Sequence, residues 1–176
     1  MSVFVAVGSN IEPERNLPRA IALLDGRARI LDLSTIFLSA AQGPAGQPPF
    51  LNGIVKVATG IPPRDFKFDV LRAIEAELGR RRSGDKYAPR TIDLDLILYD
   101  ELVVNAPDLT LPDPEIFVRP YLAFPLYELA PGLRLPGSAL TIEDVVGGMR
   151  RKGLQPLADL TRSLKEATHD RRQGTH

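Results

Sequence analysis

The chain predicts an α+β fold: a ferredoxin-like antiparallel sheet in β-α-β-β-α-β order with helices packed on one face, followed by further helical elements toward the C-terminus. Three observations carry this prediction. Short runs rich in Val, Ile and Phe recur, apolar stripes at helical spacing alternate with them, and Gly and Pro clusters separate the two kinds of segment.

Taken in order, "VFVAV" (Val3 to Val7) is a short β-branched strand ended by Gly8. "SNIEPERNLPRAIALLDG" has capping candidates, then Leu17, Ile21 and Leu24 at helical spacing, then Gly26 as a stop. "ARILDLSTIFLS" alternates around Ile30, Asp32, Ser34 and Ile36 as one second strand, and Ala40 to Pro49 is a Gly/Pro loop. Phe50 to Thr59 is a third strand. Pro62 and Pro63 open a second helix whose stripe is Phe68, Leu71, Ile74 and Leu78, with Gly79 at its end. An arginine loop leads into a fourth strand, Thr91 to Tyr99. "ELVVN" adds a short strand, "RPYLAFPLYELAP" a helix interrupted at Pro125, and "TIEDVVGGMR" another helix. The boundaries expected are a domain over residues 1–150 and a helical, polar, frayed extension over 151–176.

Composition narrows the function classes. The chain has 176 residues, 44% hydrophobic and 25% charged, which suits one globular domain with a real core. Formal net charge is zero, against the basic excess of a general nucleic-acid binder. Five of the 22 basic residues are lysine and the rest arginine, a bias that genome composition or bidentate phosphate contacts would produce. The absence of cysteine excludes disulfides and thiolate chemistry. "MSVFVAVGSN" has no basic start and too short an apolar run for a signal peptide, and no apolar stretch approaches ~20 residues. A cytoplasmic, monomeric protein without nucleic-acid or membrane partners is the expectation.

Two aspartates interrupt the fourth strand. In an extended strand, residues two apart share a face about 6.5–7 Å apart. Ile92, Leu94, Leu96 and Leu98 then point to the core, and Thr91, Asp93, Asp95, Ile97 and Tyr99 point the other way. Adjacent carboxylates repel by roughly 2.5 kcal/mol at an effective dielectric near 20 and about 0.6 kcal/mol in water, so two solvated acids on an open face is one reading. The other is a hard-cation site: oxygen ligands without His or Cys suit Mg²⁺, which takes one or two carboxylates plus substrate phosphates. The preceding loop brings Arg80, Arg81, Arg82, Lys86 and Arg90. Five cations beside two acids either neutralise them or, in excess, serve a polyphosphate. Both histidines, His169 and His176, lie in the tail, and no Walker-type loop is present. Metal-assisted phosphoryl-type transfer with arginine clamps is what remains.

An acceptor pocket has candidates too. Phe50 and Asn52 share a strand face, an aromatic plate beside a carboxamide that suits a flat heterocycle. Core packing for Phe50 and a turn for Asn52 is the plainer reading. Tyr121, after Arg119, stacks on a ligand or packs with its hydroxyl wet. Glu75 and Glu77 pair with the arginine loop or face solvent.

"KYAPRTIDLDLI" (Lys86 to Ile97) resembles the signature of the 6-hydroxymethyl-7,8-dihydropterin pyrophosphokinase family. The resemblance extends through "VAVGSN", "GQPPFLN", "GRRR" and "LPDPEIFVRPYLAFPLYELAP", over roughly the first 145–150 residues in β-α-β-β-α-β order. It implies transfer of pyrophosphate from ATP to the pterin hydroxymethyl group, leaving AMP, in folate biosynthesis. It implies two Mg²⁺ held by Asp93 and Asp95, with Arg80 and Arg90 as catalytic clamps. The nucleotide side takes Glu75, Arg80, Arg82, Tyr87, Arg90, Leu96, Asp113 and Arg119, with Tyr87 as part of a lid. The pterin side takes Ser39, Ala40, Gln42, Phe50, Asn52, Asp93 and Tyr121. Two departures stand out: Pro112-Asp113-Pro114 where the family has Pro-His-Pro, and Ser39 to Gly43 where it reads Thr-x-Pro-x-Gly. An acid at residue 113 is repelled by phosphate unless a cation intervenes. The alternatives are a catalytically impaired ATP- and pterin-binding relative, or another Mg²⁺-dependent nucleotidyl transferase on the same kind of sheet.

Overall fold

The computed structural model describes residues 2–85 and 87–174, so Lys86 and His176 lie outside the described residues. The chain runs β1 (Val3–Ser9), α1 (Pro13–Asp25), β2 (Arg29–Leu33), β3 (Phe37–Ser39) and β4 (Phe50–Ala58). A second helix follows as α2 (Pro63–Asp65), a π-helical stretch (Phe66–Leu71) and α3 (Arg72–Glu77), then β5 (Asp93–Tyr99). A hairpin of β6 (Val104–Ala106) and β7 (Leu109–Leu111), a 3₁₀ turn (Pro114–Phe117), α4 (Pro120–Leu129), α5 (Ile142–Gly147), β8 (Gln155–Pro156) and α6 (Ala158–Gln173) complete it.

The main sheet has the order β5-β1-β4-β3-β8, with β2 also on β4, and every pairing in it is antiparallel. The two halves of the β-α-β-β-α-β chain therefore interleave: β1 lies between β4 and β5. β1 is buried along nearly its whole length, as an inner strand of β-branched residues should be. Gly8 does not end it. It pairs with Asn52 on one side and Asp93 on the other.

The expected second strand is broken between Leu33 and Phe37. Ser34 ends β2 by donating its N–H to Ile54 O (2.9 Å), while its hydroxyl accepts Ile54 N–H (2.8 Å). Ile36 is driven into the sheet opposite Gly53, where a Cβ would lie only 2.6 Å from Ile36 Cδ1.

Helices cover both faces of the sheet, not one. On one side Leu17, Ile21 and Leu24 of α1, Leu71 and Ile74 of the second helix and Leu164 of α6 pack on Val3, Val5, Val7, Val55, Leu94 and Leu96. On the other, Ala123 and Leu126 of α4 and Ile142 and Val145 of α5 pack on Phe4, Ile54, Ile97 and Leu98. Each such Val, Leu, Ile or Phe side chain contributes about 1.5–3 kcal/mol when fully buried. A register shift between Phe4 and Val5 breaks strict alternation, so Ile97 and Leu98 join one layer and Tyr99 the other. The expected inward Leu98 and outward Tyr99 are thus exchanged.

The stripe of the second helix is also corrected. Phe66, Val70, Leu71, Ile74 and Leu78 are buried, and Phe68 is not. The π-helical stretch uses more residues per turn and moves the apolar face off the 3.6 period. Phe68 instead lies under guanidinium groups, Arg72 Cζ being 4.1 Å from its ring centroid. Pro125 sits inside α4 without interrupting it, because burial of Ala123 and Leu126 outweighs a cost of about 3 kcal/mol. The tail expected to fray is helical through Gln173.

Candidate active site

The sheet, its loops and the start of α4 enclose a cleft of about 330 Å³. β1 contributes Gly8, β4 contributes Phe50 and Asn52, and β5 contributes Asp93 and Asp95 to its lining. Asp93 and Asp95 reach it because they pair with Gly8 and Ala6 on the buried inner strand.

The two carboxylates have different partners. Asp93 Oδ1 accepts from Arg80 Nη1 (2.5 Å), and Oδ2 from Arg90 Nη1. Asp95 makes no hydrogen bond or ion pair among the described residues. Asp95 is exposed and lines the cleft, with other acids around it. Burial, then Asp93, Glu75 and Asp113, push it up to about 7, against the pull of Arg80.

Behind this pair lies Glu75, 2% exposed. It accepts from Arg80 Nη1, from Arg82 Nη2 at 2.6 Å, and from the Leu94 backbone N–H at 2.8 Å. It therefore ties α3, the arginine loop and β5 together one residue from Asp93. Burial alone would lower the Arg80 pKa, but Asp93 and Glu75 hold it above its ordinary value.

The strand ends are pinned as well. Asn10 accepts the Arg90 N–H (2.7 Å) through Oδ1 and donates to Pro48 O (3.3 Å) through Nδ2. Ser9 Oγ donates to Thr91 O at 2.6 Å. Tyr87 lies against Gly43, where a Cβ would be 2.6 Å from the ring, and Gly43 has φ +107°. Only glycine gives both the conformation and that contact, so the arginine loop meets the 40–49 loop over the cleft.

The remaining walls are aromatic and acidic. Phe50, Asn52 and Tyr121 face the same cavity. Asn52 Nδ2 donates to Ser39 Oγ (2.7 Å), and its Oδ1 lies close to Gly8. Gly8 makes room for it, since a Cβ there would be 2.9 Å from Asn52 Oδ1. Asp113 caps the 3₁₀ turn, accepting Glu115 N–H at 2.8 Å, and burial raises its pKa against that bond. Glu115 pairs with Arg119 at 3.3 Å. Burial and then Glu115 push Tyr121 up to about 12.

A family model described as 7,8-dihydro-6-hydroxymethylpterin-pyrophosphokinase (HPPK) matches residues 4–131. The chain belongs to the HPPK family. A 2-amino-4-hydroxy-6-hydroxymethyldihydropteridine pyrophosphokinase of Pseudomonas aeruginosa is 39% identical over 137 residues, covering 76% of this chain and 83% of that protein. Proteins of the same name are 31% identical in Haemophilus influenzae over 81% of this chain and 90% of theirs, and 36% identical in Synechocystis over 88% and 79%. Among solved structures, an HPPK-DHPS in complex with substrates aligns with TM-score 0.65 at 11% identity, over 83% of this chain and 43% of that one. A Plasmodium falciparum HPPK-DHPS triple mutant aligns with the same TM-score at 12% identity, over 83% of this chain. This HPPK-family chain spans 43% and 44% of those two longer chains, and at such identity the likeness is one of fold.

Of the residues singled out from sequence, Ser39, Ala40, Gln42, Phe50, Asn52, Tyr87, Arg90, Asp93, Asp95, Asp113, Arg119 and Tyr121 line the HPPK cleft together. Glu75, Arg80 and Arg82 stand behind its lining and reach it through Asp93 and one another. Leu96 is 3% exposed and packed in the core, so its side chain does not face the cleft. Sequence reasoning missed Gly8, Asn10 and Glu115. A glycine within a strand and an asparagine just past its end were the available signals. Nothing in the sequence pattern marked Glu115.

Proposed function

We propose that this chain transfers the β,γ-pyrophosphoryl group of ATP to the hydroxymethyl oxygen of 6-hydroxymethyl-7,8-dihydropterin, yielding AMP and the pterin diphosphate. The observation that carries the reading is the meeting, in one cleft, of Asp93 and Asp95 beside Arg80 and Arg90 with the Phe50, Asn52 and Tyr121 wall. The family and the names of its relatives supply the substrate class.

Asp93 and Asp95 are the residues to hold Mg²⁺, two ions per site. The donor set fits: both are hard oxygen ligands, and Asp95, without an ion-pair partner among the described residues, sits among acids, a charge arrangement that a divalent cation relieves. Among the described residues no group of three or more His, Cys, Asp or Glu side chains is arranged to hold a metal, which suits an ion that takes substrate phosphate oxygens and water as its other ligands. Bound Mg²⁺ supplies neutralisation of the triphosphate and acidification of the attacking hydroxyl.

The chain's own residues do the rest. Phe50 and Tyr121 hold the pterin ring from either side, and Asn52, its amide oriented by Ser39, reads one edge through Oδ1. This sets the hydroxymethyl oxygen toward the β-phosphorus. The hydroxyl's proton is released to solvent, its oxygen bonds to the β-phosphorus, and the bond from that phosphorus to the bridging oxygen retained by AMP breaks. Arg80 and Arg90 turn from Asp93 to phosphate oxygens and balance the charge that develops there, joined by Arg82 and Arg119. Tyr87 over Gly43 excludes water.

A second reading, a relative that binds ATP and pterin without transfer, is favoured by Asp113 and Glu115 lining the cleft and Arg119 being engaged by Glu115. One assay separates the two. Incubation with ATP, Mg²⁺ and the pterin should release AMP and the pterin diphosphate in equal amounts. Binding of both ligands without AMP would leave only the second reading, and free pyrophosphate with a nucleotidylated pterin would replace both.

A further inference from the structure

The family match ends at residue 131, yet the segment beyond it is built into the sheet next to the cleft. β8 pairs with β3, Phe37 opposite Pro156 and Leu38 opposite Gln155. Leu157 N–H donates to Ile36 O at 2.8 Å. Thr161, in the first turn of α6 and 8% exposed, accepts the buried Ile36 N–H at 2.9 Å while its hydroxyl donates to Leu157 O at 2.8 Å. Both main-chain groups of Ile36 are therefore satisfied by the C-terminal segment.

Ile36 is the hinge of the break between β2 and β3. Its side chain occupies the space that Gly53, a cleft residue, leaves open. Three residues on, Ser39 Oγ accepts from Asn52. A continuous packed and hydrogen-bonded path thus runs from Thr161 through Ile36 to the wall that carries Asn52.

We infer that Thr161 is a positioning residue for the acceptor site: through Ile36, α6 sets the placement of β3 and with it the Ser39–Asn52 pair. This rests on the assignment of Asn52 to the pterin side. A valine at residue 161 keeps the shape but can neither accept the Ile36 N–H nor donate to Leu157, whereas serine can do both.

The test measures equilibrium binding of the pterin and of a non-hydrolysable ATP analogue to the full chain with Mg²⁺, for wild type, Thr161→Val and Thr161→Ser, below every melting temperature. Thr161→Val should weaken the pterin roughly three- to tenfold and the nucleotide less than about twofold, with Thr161→Ser restoring the pterin. Unchanged pterin affinity, or equal loss for both ligands, overturns the inference. Should Thr161→Val not fold, wild-type amide exchange decides, because coupling is reciprocal. Pterin binding must then slow exchange at Ile36 and over residues 157–164, and no slowing there overturns the inference. Wild type that binds no pterin, or an Asn52→Ala chain that binds it as wild type does, refutes the acceptor-site reading itself and is told apart by those two controls.

Discussion

Asp93 and Asp95 sit on one strand two residues apart, yet among the described residues one carries two guanidinium partners and the other none. The difference predicts different responses to metal. Asp95→Asn removes a charge held among Asp93, Glu75 and Asp113, so the metal-free variant should melt higher than wild type. Mg²⁺ with an ATP analogue should raise the wild-type melting temperature and leave that of the variant nearly still, and AMP formation should be lost. A metal-induced shift of equal size in both would remove Asp95 from the metal site. Gly8 makes a residue-scale prediction of another kind. Gly8→Ala places a Cβ against Asn52 Oδ1, and a displaced reading group should cost roughly ten- to a hundredfold in turnover while the circular dichroism spectrum is kept. The aspartates were legible because two acids in an apolar strand break its pattern. Gly8 was not, because what it accommodates comes from another strand.

At the scale of elements, α3 matters through Glu75. Its carboxylate has become the buried anchor for Arg80, Arg82 and the Leu94 N–H. Removing one member of a buried ion-pair network leaves the others uncompensated, so Glu75→Ala should cost about 3–5 kcal/mol, read from urea unfolding. It should also lower turnover by freeing the arginines. α5 offers a pH test. Asp144 and Thr141 form a reciprocal cap, and the Thr141 N–H and hydroxyl hold the Asp144 pKa below the ordinary value. The folded state therefore binds this proton less tightly than the unfolded one. The cap's contribution is present above the unfolded pKa and is lost as pH falls through the folded one. Amide protection factors in residues 142–147, corrected for the intrinsic exchange rate at each pH, should fall over that acidic window in wild type, and the fall should vanish in Asp144→Asn. Helices α1, α4 and α5, the second helix ending in α3, and strands β1, β4 and β5 were legible from period and punctuation, whereas α6 was read only as a helical, frayed extension. The buried stripe over 66–71 was not, since a π-helical stretch obeys a different period, and neither was the break at Ser34–Ile36, which depends on Gly53 across the sheet.

Across the whole molecule, the sheet shares its strands between two apolar layers, and Phe4 and Val5, adjacent in β1, belong to different ones. The layers should not unfold separately. Leu71→Ala and Leu126→Ala, one from each, should both shift a single transition by about 2–5 kcal/mol. Leu164→Ala in α6 should shift the same transition, because Leu164 is 3% exposed in the first layer. A separate early transition for Leu164→Ala would instead make residues 151–176 an independent extension.

By itself the sequence determined the β-α-β-β-α-β succession through β5, the acid pair and its arginine loop, the aromatic and carboxamide of the opposite wall, and the likeness to the HPPK family. These follow from local period, punctuation and residue chemistry, which neighbours in the chain carry. Only the tertiary structure decided that helices cover both faces, that Leu96 belongs to the core, that Glu75 stands behind Asp93, and that α6 reaches Ile36. The reason is physical: which face a residue takes after a strand bulge, and which distant group satisfies a buried N–H, depend on packing between segments far apart in the chain, as with Ile36 and Thr161, 125 positions apart, and no local pattern encodes such partners.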